Sequence, residues 1–292
     1  MVTKSKTGQV VLNIVFIILA VWAVAPFLLL ISSSLSSEAA LAKYGYGFWP
    51  REFSLNAYTY LFKSSMKIAK GYGITLIVTL VGTTLSVLIT TLFAYPLSRK
   101  EFRARGGIAM FFVFTMYFSG GLVPSYILVN SLHLTNTRWA MIIPSAMSTY
   151  NMIICRTYMT NSIPDEMYEA AQIDGCTPWK YFLSIVTPLC KPILAVLTLY
   201  YGVAKWNDYY TAMIYLRDDT LMPLTIVMKE ILIQNKIDMT QIGNASNLAK
   251  LQGMSELLKY STIVVASVPV MLLYPLVQKH LVKGVMIGAV KG

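Results

Sequence analysis

Lys205, Trp206, Asn207 and Asp208 close an apolar stretch with an amine, an indole, an amide and a carboxylate in direct succession. Ionisable groups at a helix end within a bilayer tend to face a polar cavity. Trp and Tyr can stack on sugar rings, while Asn and Asp hydrogen-bond hydroxyls. The same run, with Tyr209 and Tyr210, also suits the outer membrane interface, where aromatic residues form a belt. Both readings stand at this level. Tyr117, Tyr126, Tyr150 and Asn151 are weaker candidates for lining such a path. Covalent chemistry has less to work with. There is no GxxxxGK[ST] nucleotide loop and no GxGxxG. His133 and His280 lie far apart and on opposite sides of the expected membrane, which argues against a zinc site or a His-based triad. Cys155, Cys176 and Cys190 show no CxxC spacing and fall toward one side, so no structural disulfide is expected. Neither a catalytic residue nor a metal ligand is assigned.

The elements that must position these residues are membrane helices. The chain is 56% hydrophobic and only 13% charged, with a mean hydropathy of +0.59. Uncharged runs cover 7–37, 71–98, 139–155 and 260–278, and 106–137 joins them with His133 neutral. A spanning helix needs ~20 mostly apolar residues, so composition alone supports five spans. The apolar stretch Val10 to Ile31 is too long for the ~7–15 residues of a signal-peptide core. Helices are predicted near 10–31, 72–97, 108–129, 139–156 and 260–278; a sixth would run near 190–206, but its uncharged stretch is only 192–204 and composition alone does not establish it. In the region 217–259, Leu224 to Ile233 reads as a short amphipathic helix and Asn235 to Asn247 as loop.

Orientation follows from Lys and Arg near the membrane. The segment 99–107 carries Arg99, Lys100, Arg103 and Arg105, whereas the short loop around 131–138 holds only Arg138. This places both termini and the 99–107 loop in the cytoplasm, and the long segments 32–70 and 205–259 outside. The net charge of +11 then reflects basic loops beside an anionic leaflet rather than nucleic-acid binding.

Residues 164–188 are polar between apolar runs. Pro164 reads as a first helical residue, with Asp165 and Glu166 in the turn where the helix dipole favours acid. Met167, Ala170 and Ala171 share a face of little bulk that another surface can approach. Gly175 stops this helix, and Thr177 caps a second with Pro178 in its first turn. Trp179, Phe182, Leu183 and Val186 follow helical spacing and form one apolar stripe, and Pro188 and Pro192 end it. Such a helix–Gly–helix element is a shape for docking.

The segment resembles the EAA loop of permease subunits in binding-protein-dependent ABC importers. Glu169, Ala170, Ala171, Asp174 and Gly175, then Phe182, Ile185, Pro188 and Pro192, match at the family's spacing. Cys176 stands where the family usually has alanine, and Thr187 where it often has leucine. The resemblance continues through Trp206-Asn207-Asp208 and the closing run 282–292. It is similar to carbohydrate importers of the MalG type and, among them, to LplC/YtcP-like permeases for oligosaccharides.

This resemblance implies an all-α integral membrane protein of the type I ABC importer permease fold, with six transmembrane helices in a single domain over 1–292 and a cytoplasmic EAA coupling loop at 164–188. It implies ATPase coupling through Glu169, Ala170, Ala171, Asp174, Gly175 and Pro188; read from residue chemistry, Gly175 is a backbone requirement and Asp174 fixes the turn, ahead of direct contact. It also implies contact of the tail, Gly288, Ala289, Val290, Lys291 and Gly292, with the ATPases. The expected partners are a second homologous permease, an ABC ATPase dimer, an extracellular solute-binding (lipo)protein, membrane lipid and an oligosaccharide substrate. This chain is then no enzyme and holds no cofactor, since ATP and Mg belong to the ATPase subunits. The expected location is the bacterial cell membrane, multi-pass. An ion-driven secondary carrier is the alternative, but such carriers favour midplane carboxylates and the first four predicted helices contain no acidic residue.

Overall fold

The structure is a computed structural model and describes residues 6–64, 66–237, 257–272, 275 and 278. Its described backbone is helical, with one isolated antiparallel bridge between Ser36 and Phe53. Helices α1 (Lys6–Ser34) and α4 (Met66–Ser98) are, among the described residues, the two unbroken helices long and apolar enough to cross a membrane. At ~1.5 Å per residue each exceeds the ~30 Å hydrocarbon core. Between them lie α2 (Glu38–Tyr44), which Ser37 caps by accepting from the Ala40 N–H, and α3 (Asn56–Ser64).

The helix predicted at 108–129 is instead a bent pair. Helices α5 (Arg105–Tyr117) and α6 (Leu122–Ser131) meet at 115°. The break falls at Ser119-Gly120-Gly121, where Gly121 takes φ +87, a conformation glycine adopts without steric cost. The helix predicted at 139–156 is also two pieces, α7 (Trp139–Ile142) and α8 (Thr149–Ser162). Pro144 has no N–H to continue the ladder, and Ser148 opens α8 by accepting from the Asn151 N–H at 3.5 Å. Hydropathy registers an apolar run but not the backbone turns inside it.

Helices α9 (Asp165–Ile173), α10 (Pro178–Tyr181) and α11 (Thr187–Leu189) form the polar segment, with a π turn at Phe182–Val186 joining the last two. The run Pro178–Leu189 meets α12 (Lys191–Trp206) at 78°. Helices α13 (Tyr210–Tyr215) and α14 (Leu224–Ile237) follow. Asn235 to Ile237, expected as loop, continue α14, and 238–256 lie outside the described residues. The last predicted span begins as α15 (Leu257–Leu272).

The described residues group into two compact units, one within Met1–Ala69 and Met228–Val268, the other within Lys70–Val227 and Pro269–Gly292. In the first, Tyr46 meets Tyr260 of α15 edge-on at 5.7 Å. In the second, Ala94, Met152, Cys155, Met159, Val186, Cys190 and Leu197 pack as one buried cluster. Lipid is as apolar as a leucine side chain, so close packing and interhelical hydrogen bonds must hold such helices together. Helix α4 supplies the polar part. Thr75, Thr79, Thr83, Ser86 and Thr90 recur at helical spacing and are all buried. Thr90 Oγ1 shares a hydrogen bond with the Tyr201 hydroxyl at 2.6 Å, and Thr75 Oγ1 accepts from the Leu224 N–H at 2.8 Å.

Candidate functional site

The segment 164–189 is built by local backbone chemistry. Pro164 is extended and serves as the N-cap residue of α9, so the helix starts one residue later than predicted. Asp165 and Glu166 occupy its first turn. At the other end Asp174 is the C-cap and Gly175 takes φ +72. The Gly175 N–H donates to the Gln172 carbonyl at 3.0 Å and the Cys176 N–H to the Ala171 carbonyl at 2.9 Å. This pair of bonds is the Schellman pattern, which needs a left-handed residue where Gly175 stands. Thr177 then caps α10, its Oγ1 accepting from the Lys180 N–H at 3.3 Å.

The predicted stripe of Trp179, Phe182, Leu183 and Val186 is divided. Phe182 and Val186 are buried together with Tyr181, whereas Trp179 and Leu183 are 66% and 61% exposed. Tyr181, Phe182 and Val186 face the core where the backbone passes through the π turn, whose hydrogen bonds run between residues five apart. Thr187 Oγ1 donates to the Phe182 carbonyl five residues back at 2.9 Å. The outward surface of the segment therefore carries Glu169, Ala170, Ile173, Trp179 and Leu183, with Ile173 87% exposed. Gly175 and Pro188 are exposed as well, and Ala171 is buried in the core. A small-residue helix face beside a carboxylate and three large apolar side chains can bind a protein surface. It offers no arrangement for bond making.

The segment is pinned from behind by the end of α4, which sequence reasoning missed. Arg99 is 8% exposed, and its guanidinium lies over the Tyr168 ring at 4.4 Å and near the Tyr181 ring at 5.9 Å. Those two rings meet edge-on at 4.9 Å. Arg99 also pairs with Glu101 at 3.2 Å and with Asp165 at 3.9 Å, and Lys100 Nζ pairs with Asp165 at 2.7 Å. The hydrogen bond from Lys100 holds the Asp165 carboxyl below its usual range, and Asp165 in turn raises Lys100. One turn earlier, Tyr95 packs on Phe182 at 4.8 Å. Arg156 Nε of α8 donates to the Leu97 carbonyl at 2.8 Å. The legible signal is the basic cluster at 99–105 itself, which also serves as an orientation signal.

The second set of candidates surrounds the end of α12. Lys205 is 4% exposed and donates to the carbonyls of Met141 at 2.8 Å and Ile142 at 3.3 Å, and to Ser145 Oγ. Its stem lies so close to Gly82 that a Cβ there would meet Lys205 Cε at 3.2 Å. Lysine thus caps carbonyls at the broken end of α7, sharing that of Met141 with the Ser145 hydroxyl, which donates to it at 3.1 Å. Trp206 is buried, meeting Tyr72 edge-on at 5.6 Å. Asn207 is exposed and Asp208 is half-buried, its Oδ1 accepting from the Thr211 N–H at 3.1 Å. Tyr126 stacks on Tyr215 at 5.9 Å and accepts from Arg217 at 3.0 Å. Tyr117 and Tyr150 are exposed on separate helices, and Asn151 is buried in the first turn of α8. Tyr201, absent from the candidates, also accepts from the Ser148 N–H at 3.0 Å and so joins α4, α8 and α12. The tail residues Gly288 to Gly292 lie outside the described residues.

Comparison with known proteins identifies relatives. Residues 80–287 match the family described as binding-protein-dependent transport system inner membrane component. The chain is 35% identical to Protein LplC of Bacillus subtilis over 292 residues, covering 99% of this chain and 97% of the relative. It is likewise 35% identical to the polygalacturonan/rhamnogalacturonan transport system permease protein YtcP of Bacillus subtilis, over 99% of this chain and 100% of that one. Among solved structures, a bacterial ABC transporter involved in the import of the acidic polysaccharide alginate contains a chain that superimposes with a TM-score of 0.82 at 28% identity, over 96% of this chain and 100% of that one.

Proposed function

Since the chain belongs to the binding-protein-dependent transport system inner membrane component family, we propose that it is one permease subunit of an ATP-driven importer of oligosaccharides released from larger polysaccharides. The observation that carries this reading is the segment 164–189, a helix–Gly–helix whose outward face joins small residues, the Glu169 carboxylate and the exposed Ile173, Trp179 and Leu183. In this proposal the whole of 1–292 serves one membrane domain with both termini cytoplasmic, and a second permease completes the sugar path. An ATPase dimer binds ATP and Mg and docks at Glu169, Ala170, Asp174, Gly175 and Pro188, with Ala171 packed behind them in the core and the tail residues 288–292 lying against the dimer. A solute-binding protein delivers sugar to the outer face. Tyr117, Tyr126, Tyr150, Asn151, Trp206, Asn207 and Asp208 are the candidates for the path. Coupling is mechanical: ATP closes the ATPases, and the segment carries that motion into helices with inward-open and outward-open arrangements.

The names of two relatives point to acidic chains, polygalacturonan and alginate. Oligomers of each are therefore the probes. Purification from native membrane should recover ATPase and second-permease partners in fixed ratio, with uptake of one probe that requires ATP and the binding protein. A lone active homodimer driven by an ion gradient would overturn the proposal in favour of a secondary carrier.

A further inference from the structure

Two covalent joints connect the segment 164–189 to the spanning helices, and neither continues as straight helix. Ile163 and Pro164 are extended between α8 and α9, and the chain turns by 78° between Leu189 and α12. Such a joint passes on rotation poorly, because its backbone dihedrals can absorb it. Helix α4 has no covalent link to the segment, yet its last turn and the residues after it touch both halves. Arg99 lies over Tyr168 of α9 and near Tyr181 of α10. Lys100 and Arg99 reach Asp165 at the start of α9, and Tyr95 reaches Phe182 after α10. Arg156 ties α8 to the Leu97 carbonyl. The contact is interior on the Arg99 side, where Tyr181 has no exposed surface, whereas Lys100 is open to solvent.

We infer that Arg99 is a positioning residue that makes α4 the helix driven by the docking segment, its guanidinium acting as a plate shared by the two short helices. This rests on the permease reading above. A planar cation over the Tyr168 ring and beside the Tyr181 ring resists displacement of either, and lysine cannot reproduce that geometry. From Arg99 the displacement has a packed route through the membrane. Helix α4 meets α12 at Thr90 and Tyr201, and Gly82 lies against the Lys205 stem that holds the end of α7. Movement of the docking segment would therefore reach the break between α7 and α8 through α4.

The test uses the complete importer in lipid nanodiscs, with fluorescent labels on single introduced cysteines. Cys176→Ala removes the half-buried thiol, and the remaining Cys155 and Cys190 are buried. One label goes on the segment at the exposed Ser184→Cys, the other on α4 at the exposed Leu88→Cys. In the unaltered complex, ATP with vanadate should shift both signals. Arg99→Met and Arg99→Lys should each abolish the shift on α4 while leaving that on the segment, in complexes that still co-purify with ATPase. Tyr168→Leu provides an independent lesion from the other side of the contact, should Arg99 variants fail to fold. Lys100→Ala, at the exposed pair, should leave both shifts. Retention of the α4 shift in the Arg99 and Tyr168 variants, or a silent α4 label beside a responding segment label in the unaltered complex, overturns the inference. If neither label responds in the unaltered complex, the permease reading itself fails.

Discussion

Replacing Gly175 separates a backbone role from a contact role. The residue holds φ +72 at the αL position of the Schellman turn. A Cβ built there meets nothing within 4 Å, so the chain itself imposes no steric limit on side-chain size. What remains is the conformational cost, about 1–2 kcal/mol for an L-residue in the left-handed region. That lowers the population of the correct turn roughly 5–30-fold. A β-branched side chain suffers most there, and Asn least. The expected order of transport is therefore Gly, then Gly175→Asn, then Gly175→Ala, with Gly175→Val abolishing uptake. Membrane abundance should stay near normal in all three, because the turn lies outside the spanning helices. The assay is sugar uptake normalised to the permease recovered in membranes, with ATPase co-purification as a control. If Asn is as harmful as Val, size decides rather than φ, and Gly175 is a contact surface for the partner instead of a pivot. Normal uptake in Gly175→Val would refute the pivot outright.

Glu169→Lys should reduce co-purification of the ATPases while the two permeases stay together, and unchanged recovery would remove Glu169 from the docking face. Lys205→Met leaves the Ile142 carbonyl without its lysine donor and the Met141 carbonyl with the Ser145 hydroxyl alone, and should lower stability by about 1–3 kcal/mol, read as a lower unfolding temperature in detergent. Tyr201→Phe removes the acceptor of the Ser148 N–H and the partner of Thr90; a loss of similar size, about 1–3 kcal/mol, is expected in the same assay. The Lys100–Asp165 pair has a defined pH sense. Asp165 titrates below its ordinary value in the folded chain, so its contribution is present above 3.8 and is lost as pH falls through the lower folded value. Lys100 is raised, so its charge persists to higher pH than usual. Uptake should thus show no inflection from this pair between about pH 6 and 8, and an inflection that disappears in Asp165→Asn would contradict it.

Features governed by a residue's own backbone or by neighbours within one turn were legible in the sequence. Gly175 ends α9 because its φ is accessible to glycine, and Thr177 caps α10 through a bond three residues long. The apolar runs that became α1 and α4 announced themselves by length, since lipid demands continuous hydrocarbon and little else. The recurrence of Thr and Ser along α4 was also present in the sequence, but its partners Tyr201 and Leu224 stand more than a hundred residues away. Only the tertiary structure could show that Arg99 belongs to Tyr168 and Tyr181, because a basic residue after a span reads equally well as an orientation signal. Lys205 was seen as a polar-path candidate, yet its ammonium caps carbonyls more than sixty residues back, at a helix end that exists because Pro144 interrupts an apolar run. The expected stripe is divided around the π turn, with Phe182 and Val186 inside and Trp179 and Leu183 outside. Periodicity assumes one angular step per residue, and a single wider turn changes every face after it.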